Sequence, residues 1–234
     1  MDTIKLTPRL QCVADCIKKC DLLADIGTDH AYIPIYAIQN HLAKKAVAGD
    51  VVKGPLSIAT ENIVSHGLEN KITPVLANGL DAAKEADVIV IAGMGGKLIC
   101  EILENNLKIA KTANYMVIQP MTCSYELRSF LHENGFEIID EKLTKEEDKI
   151  YSILVVKNGV EKYHDDFYYH IGKKLFEKRD KLLSQYIKLR AEVIKKQFKG
   201  MKSSKDPDLH QKAKELETLY NRFIKEAERY DQGN

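Results

Sequence analysis

The chain reads as an α/β protein: a seven-stranded, mostly parallel sheet with helices on both faces, followed by an α-helical hairpin. Three observations predict this. Short apolar runs alternate with helix-length amphipathic stretches over the first two thirds of the chain, as repeated strand–helix units require. One run, VIVIA at 88–92, has no polar residue, as a strand buried on both faces needs. Beyond about residue 162, apolar residues recur at spacings of three and four, which is a helical stripe.

The elements follow in order. Thr7-Pro8 is a helix start, Thr as N-cap and Pro at the first helical position, and the helix is expected to reach Lys19. Leu22–Ile26 is a strand, 33–41 a helix and 46–52 a strand. Pro55 suits the first turn of a helix ending near Gly67. Strand 72–76, short helix 81–85 and strand 88–92 come next, and Gly93-Met-Gly-Gly96 is expected to turn into helix 97–104. Strand 115–119 ends at Pro120, helix 125–134 is closed by Gly135, and strands 136–143 and 150–156 flank the charged KEED. No helix separates these last two strands, so one must run antiparallel. Seven strands ending in a hairpin is the pattern of Rossmann-like methyltransferases; dinucleotide dehydrogenases continue as βαβ instead.

The expected domains are 1–160 and 161–234. In the second, Leu182, Tyr186, Leu189 and Val193 pair with Leu209, Ala213, Leu216, Tyr220, Phe223 and Ala227 as the seams of an antiparallel coiled coil, turned at Gly200–Pro207.

Composition narrows the setting. Hydrophobic residues make up 44% of the chain, enough for a packed core and too many for a disordered one. No run approaches the roughly 18 apolar residues of a membrane span. The opening MDTIKLTPRL lacks an apolar signal core, and the 5 cysteines form no secreted-type framework, so a reduced, cytoplasmic protein is expected. The net charge of +1 hides an asymmetry: residues 162–234 carry 18 Lys and Arg against 12 Asp and Glu, and the rest 17 against 22. A basic arm beside an acidic body suits a polyanion partner; the plain alternative is a soluble lysine-rich helix surface.

Ligands of open α/β sheets bind at the carboxyl ends of the strands. Four such ends carry informative residues. Asp25-Ile-Gly27 offers an acceptor and a close backbone approach. Asp50 ends the second strand, where a carboxylate can accept from both hydroxyls of a ribose. Asn78-Gly-Leu80 can read an adenine edge with its amide or backbone. Ala92-Gly-Met-Gly-Gly96 stands beside the reacting centre. The first turn has one glycine where a pyrophosphate-binding GxGxxG has three, and no Lys-Ser/Thr of P-loop type follows the GMGG. S-adenosyl-L-methionine, with an adenosine, a ribose diol and an amino-acid tail but no phosphate, fits this set.

The string ADIGTDHAYIPIY…AVAGDVVKGP…ANGL…VIVIAGMGG…IQP closely resembles the TrmK family, bacterial methyltransferases of N1 of adenine 22 in tRNA. The match covers about residues 5–157, and the helical hairpin is similar to the family's C-terminal coiled coil. The resemblance implies S-adenosyl-L-methionine contacts from Asp25, Gly27, Asp50, Val51, Asn78, Gly79, Leu80, Ala92 and Gly93, and places Asp29 and His30 by the reacting centre. It implies an L-shaped tRNA partner methylated in its D arm. Two positions depart from the pattern: Asn78 stands where Asp is common, and Met121 follows Gln119-Pro120 where Asn is expected.

N1 of adenine is already a lone-pair nucleophile, so the enzyme's tasks are alignment and exclusion of water. A carboxylate near N6 stabilises the cationic ring that forms, a part that suits Asp29, with His30 positioning it. Tyr32 is a candidate to stack on the base, Arg9 to meet a phosphate, and Gln119 and Pro120 to touch the substrate. The plain alternatives are that Asp29 and His30 cap the following helix and that Arg9 is a solvated helix residue. Cys12, Cys16 and Cys20 lack the partners of a zinc site and break the C-x3-C-x2-C radical cluster spacing, so no metal is expected. A monomer or weak dimer is expected. The rival functions are a methyltransferase of a small molecule or protein, with the hairpin used for dimerisation, and a non-catalytic RNA-binding protein on a methyltransferase fold.

Overall fold

Val88–Ile91, the most apolar run, lies at the centre of the sheet and is at most 1% exposed. The computed structural model describes residues 3–202 and 206–232. Its strands are β1 (Cys20–Ile26), β2 (Ala43–Asp50), β3 (Ile72–Leu76), β4 (Val88–Gly95), β5 (Tyr115–Thr122), β6 (Phe136–Glu146) and β7 (Lys149–Asn158). They form one seven-stranded sheet in the order β3-β2-β1-β4-β5-β7-β6. The first five strands pair in parallel, and β7 runs antiparallel to both β5 and β6. The order reverses between β1 and β4, so a crevice opens beyond their carboxyl ends.

Successive side chains of a strand point to opposite faces, and the core follows that period. Leu23, Val88, Val90 and Val117 pack with Val13 of α1 (Pro8–Ala14), Ile35 and Ile38 of α2 (Tyr32–Gln39) and Ile63 of α3 (Lys53–Ser65). Ala24, Ile89, Ile91 and Ile118 face the other way, toward Ile99 and Leu103 of α4 (Gly96–Asn105), Ala110 of α5 (Leu107–Thr112), and Leu127 and Leu131 of α6 (Ser124–Glu133). Each fully buried aliphatic side chain contributes roughly 1.5–3 kcal/mol.

Several boundaries differ from expectation for physical reasons. The first helix stops at Ala14, not Lys19. Cys16 and Ile17 close it with short bonds to Val13 and Ala14 and turn inward, and Cys20 already belongs to β1. The Gly93–Gly95 segment is not a turn: β4 continues through it as a bulged strand paired with β5 as far as Thr122. Gly96 lies so close to β5 that a Cβ would stand 2.5 Å from the Cys123 carbonyl oxygen. Pro120 lies inside β5 rather than ending it. Residues 79–83 form a 3-10 turn, and α5 was not foreseen.

The chain divides into two compact units, 1–174 and 175–234. The boundary falls 14 residues after the expected 160/161 because 161–174 packs on the first unit. There α7 (Phe167–Ile171) is held by Arg128, which is fully buried and donates to Glu141 Oε1 at 2.8 Å and to the carbonyls of Tyr169 and Ile171. A short helix, α8 (Lys173–Glu177), follows.

In the second unit α9 (Leu183–Lys202) and α10 (Pro207–Gln232) lie antiparallel, with Phe198 against Tyr220 and Lys188 against Asp231. The α10 stripe packs as expected through Ala213, Phe223 and Ala227. The α9 stripe does so only in part: Tyr186 is buried together with Leu183, Ile187, Ala191, Ile194 and Phe198, while Leu189 and Val193 are 40% and 46% exposed. The register beginning at Leu182 runs into Lys196 and Gly200, whereas the one beginning at Leu183 carries Phe198, so the second buries more apolar surface. The expected turn is shorter than 200–207, since Gly200–Lys202 belong to α9 and Pro207 opens α10; 203–205 lie outside the described residues.

Candidate active site

The loop from β1 to α2 builds the crevice. Gly27 has φ +72, a backbone conformation that favours glycine, and a Cβ there would push Met94 Cε aside. Its N–H and that of Thr28 donate to the Gly49 carbonyl at 2.8 and 3.0 Å, tying the loop to the end of β2. The Thr28 hydroxyl donates to Asp25 Oδ2 at 2.7 Å. Asp25 is buried, and that burial pushes its carboxyl up to about 7, against the lowering effect of the Thr28 bond and with a smaller push from the charge of Asp50.

Asp29 and Ala31 both have left-handed backbones, φ 51 and 58, a conformation unfavourable for side chains other than glycine. The loop holds it because the Asn62 amide donates to the His30 carbonyl at 3.0 Å and Asp29 N–H reaches Asp50 Oδ2 at 3.4 Å. The helix N-cap is Ala31, with no side-chain cap bond, so neither Asp29 nor His30 serves as a cap. The Asp29 carboxylate is 63% exposed and lies 3.5 Å from His30 Nε2. The His30 and Tyr32 rings stack at 5.1 Å and 11°, forming a flat aromatic plate.

Two adjoining clefts meet at Gly27 and Met94. One, of about 350 Å³, is lined by Arg9, Asp25, Asp29, His30, Tyr32, Ala92 and Gly93 among others. The second, of about 240 Å³, is lined by Asp50, Val51, Asn78, Gly79, Leu98 and Ile102 among others. Asp50 is pinned by Val52 N–H, which donates to its Oδ1 at 2.9 Å. Among the described residues no Lys, Arg or His lines the second cleft, and the Asp50 carboxylate disfavours phosphate there, so it suits a neutral nucleoside face with a diol.

Most of the sequence candidates converge here, with three corrections. The Leu80 side chain is fully buried in the core, leaving only its backbone for a ligand. Gln119 is 0% exposed and Pro120 is buried, so neither lines a cleft: the strand expected to end there runs on to Thr122 and holds both inside. Sequence reasoning passed over Met94, Leu98 and Ile102. Leu98 and Ile102 stand four apart on one helix face, and that spacing was the available signal.

Against known proteins, residues 23–226 match the family model described as tRNA (adenine(22)-N(1))-methyltransferase, TrmK. The chain belongs to the TrmK family. A Bacillus subtilis tRNA (adenine(22)-N(1))-methyltransferase is 39% identical over 161 residues, 68% of this chain and 68% of that protein. The crystal structure of B. subtilis TrmK superposes with TM-score 0.84 at 30% identity, covering 94% of this chain and 99% of that one. Sp1610 of Streptococcus pneumoniae, in complex with S-adenosyl-L-methionine, gives TM-score 0.83 at 32% identity, covering 94% and 100%. The TrmK assignment accords with the donor set: carboxylates at two strand ends and no phosphate cradle. Among the described residues of this TrmK-family chain, no group of three His, Cys, Asp or Glu side chains is placed to hold a metal, and no helix is long and apolar enough to cross a membrane.

Proposed function

We propose that this TrmK-family chain transfers the methyl group of S-adenosyl-L-methionine to N1 of adenine 22 in the D arm of tRNA, in the cytoplasm. The observation that carries the reading is the pair of clefts joined at Gly27 and Met94, one uncharged but for Asp50, the other edged by a carboxylate and an aromatic plate.

The cofactor's adenosine belongs in the smaller cleft. Asp50 accepts from the ribose hydroxyls, Val51 and Leu98 cover the adenine faces, and Asn78 with the backbone of Gly79 and Leu80 reads its edge. Gly27, Ala92 and Gly93 let the backbone approach the amino-acid tail, and Asp25 answers its ammonium group. When bound, S-adenosyl-L-methionine supplies the methyl: the N1 lone pair forms N–CH₃ as the S–CH₃ pair returns to sulfur, leaving a neutral thioether and a cationic adenine ring.

The chain's own groups align the acceptor and answer that charge. Tyr32, backed by His30, stacks on the target base, which leaves its stem at a cost of about a few kcal/mol. Asp29, exposed at the cleft mouth, faces N6 and stabilises the positive ring as it forms. Arg9 meets a backbone phosphate. Residues 1–174 carry the chemistry, and the basic helix pair of 175–234 grips RNA backbone by charge and shape.

The test is methyl transfer from labelled cofactor to unmodified tRNA, followed by nucleoside analysis. 1-Methyladenosine is the expected product, and Asp29→Ala slows its formation by about tenfold to a hundredfold with cofactor affinity unchanged. Label in any other nucleoside contradicts the reading.

A further inference from the structure

Gln119 is an amide on a strand otherwise buried in apolar side chains, between Ile118 and Pro120. A buried amide is costly unless its donors and acceptors are paired. Its pairing is unusual in what it joins. The oxygen Oε1 accepts from Arg9 Nη1 at 2.8 Å and from Gly93 N–H at 3.1 Å. The nitrogen Nε2 donates to the Pro120 carbonyl at 2.9 Å and faces Met121 Sδ at 3.5 Å. Both groups held by the oxygen line the larger cleft, one from α1 and one from the bulge of β4.

We infer that Gln119 is a positioning residue that presents the Arg9 guanidinium to a backbone phosphate next to the target adenosine. The inference rests on the tRNA reading above and assigns a receptor within that site.

Among the described residues, Arg9 is the only Arg or Lys lining the larger cleft. It is fixed at three points. Its main-chain N–H donates to Glu146 Oε2 at 2.8 Å, its guanidinium carbon lies 5.7 Å from the centre of the Tyr151 ring, and Nη1 is held by Gln119. Gly93, with φ +82, turns its N–H to the same amide oxygen beside Nη1. The decisive feature is the partner's charge. Gln119 is neutral, so it orients the guanidinium without cancelling it; the carboxylate of Glu146 accepts from the Arg9 main chain and feels the Arg9 charge, but makes no hydrogen bond to the guanidinium among the described residues. A guanidinium has five N–H donors, and the side chain of Arg9 spends one of them on protein among the described residues. What remains is a fixed fork, the geometry that recognises phosphate. A base drawn out of its stem carries its flanking phosphates to the cleft rim, so the ligand is RNA backbone.

The experiment measures binding of unmodified tRNA across a range of salt concentrations for wild type, Arg9→Gln, Gln119→Met and the double variant, with affinity for S-adenosylhomocysteine as the control for an intact site. Arg9→Gln is expected to weaken tRNA binding and lower the slope of log K against log salt by roughly one, the signature of a lost phosphate contact. Gln119→Met, nearly isosteric but without the amide, is expected to weaken tRNA binding by about tenfold at low salt. The double variant should bind no more weakly than Arg9→Gln, because Gln119 acts through Arg9. Gln119→Glu keeps the acceptor oxygen, loses the donor to the Pro120 carbonyl and offsets the guanidinium charge, and should lower affinity and slope while cofactor binding persists. A wild-type salt slope in both Gln119 variants, or additive losses in the double variant, overturns the inference. Absence of salt-dependent tRNA binding by the wild type overturns the tRNA reading beneath it instead.

Discussion

Asp25 is a carboxyl group in a place that resists charge. Burial raises it to about 7, against an ordinary carboxylate value near about 4. The sign of the consequence follows. A group whose folded value is raised contributes stability that is full below about pH 4 and lost as pH rises through about 7. A ligand whose ammonium group lies beside Asp25 favours the carboxylate, so its binding must drive off the proton at low pH. Affinity for S-adenosylhomocysteine, measured calorimetrically from pH 5.5 to 8.5, is therefore expected to strengthen up to about pH 7, by as much as about tenfold per unit, and then level off. Asp25→Asn should abolish that step. The placement of Asp25, Gly27 and Asp50 at the crevice was legible in the sequence because each stands at the carboxyl end of a strand, where open sheets form their clefts. The burial of Gln119 was not, because a polar residue at the expected end of a strand reads as exposed, and only its partners Arg9 and Gly93, distant in sequence, explain its place inside.

At the scale of elements, strands announced themselves and linkers did not. VIVIA could only be a central strand. The Gly93–Gly95 segment looked like a turn because glycine usually marks one, yet here the missing side chains serve close packing of β4 on β5. Residues 161–174 looked like the start of the helical arm. They belong to the first unit because Arg128, unremarkable in an amphipathic helix, finds Glu141 and two carbonyls of α7. Arg128→Ala leaves Glu141 buried and unpaired, and is expected to cost about 3–5 kcal/mol in urea denaturation. Loss of less than about 1 kcal/mol would mean that the pair is not the anchor of this segment.

The whole molecule pairs a compact α/β unit with a basic helix pair. The charge asymmetry was visible in the sequence, but its distribution was not, since pairing between residues 15 to 43 apart depends on the fold. Lys188 pairs with Asp231 and Lys202 with Glu217 across the two helices, and Lys195 with Glu192 along one, so those lysines stabilise the arm as well as charging it. Such exposed pairs are worth little each, and salt weakens them along with any RNA contact. A chain ending at Lys174 is expected to keep its affinity for S-adenosylhomocysteine in calorimetry and to lose at least about tenfold in affinity for tRNA in filter binding, with a shallower salt dependence. Equal tRNA affinity would move the RNA-binding surface onto the first unit.

The central claim is one atom on one base: N1 of adenine 22. The measurement that meets it most directly is methyl transfer to an unmodified tRNA transcript beside the same transcript carrying guanine at position 22, with the methylated position mapped. The account predicts one methyl group per molecule on N1 of adenine 22, and none on the substituted transcript. Equal labelling of both, or a methyl group mapped elsewhere, would contradict it.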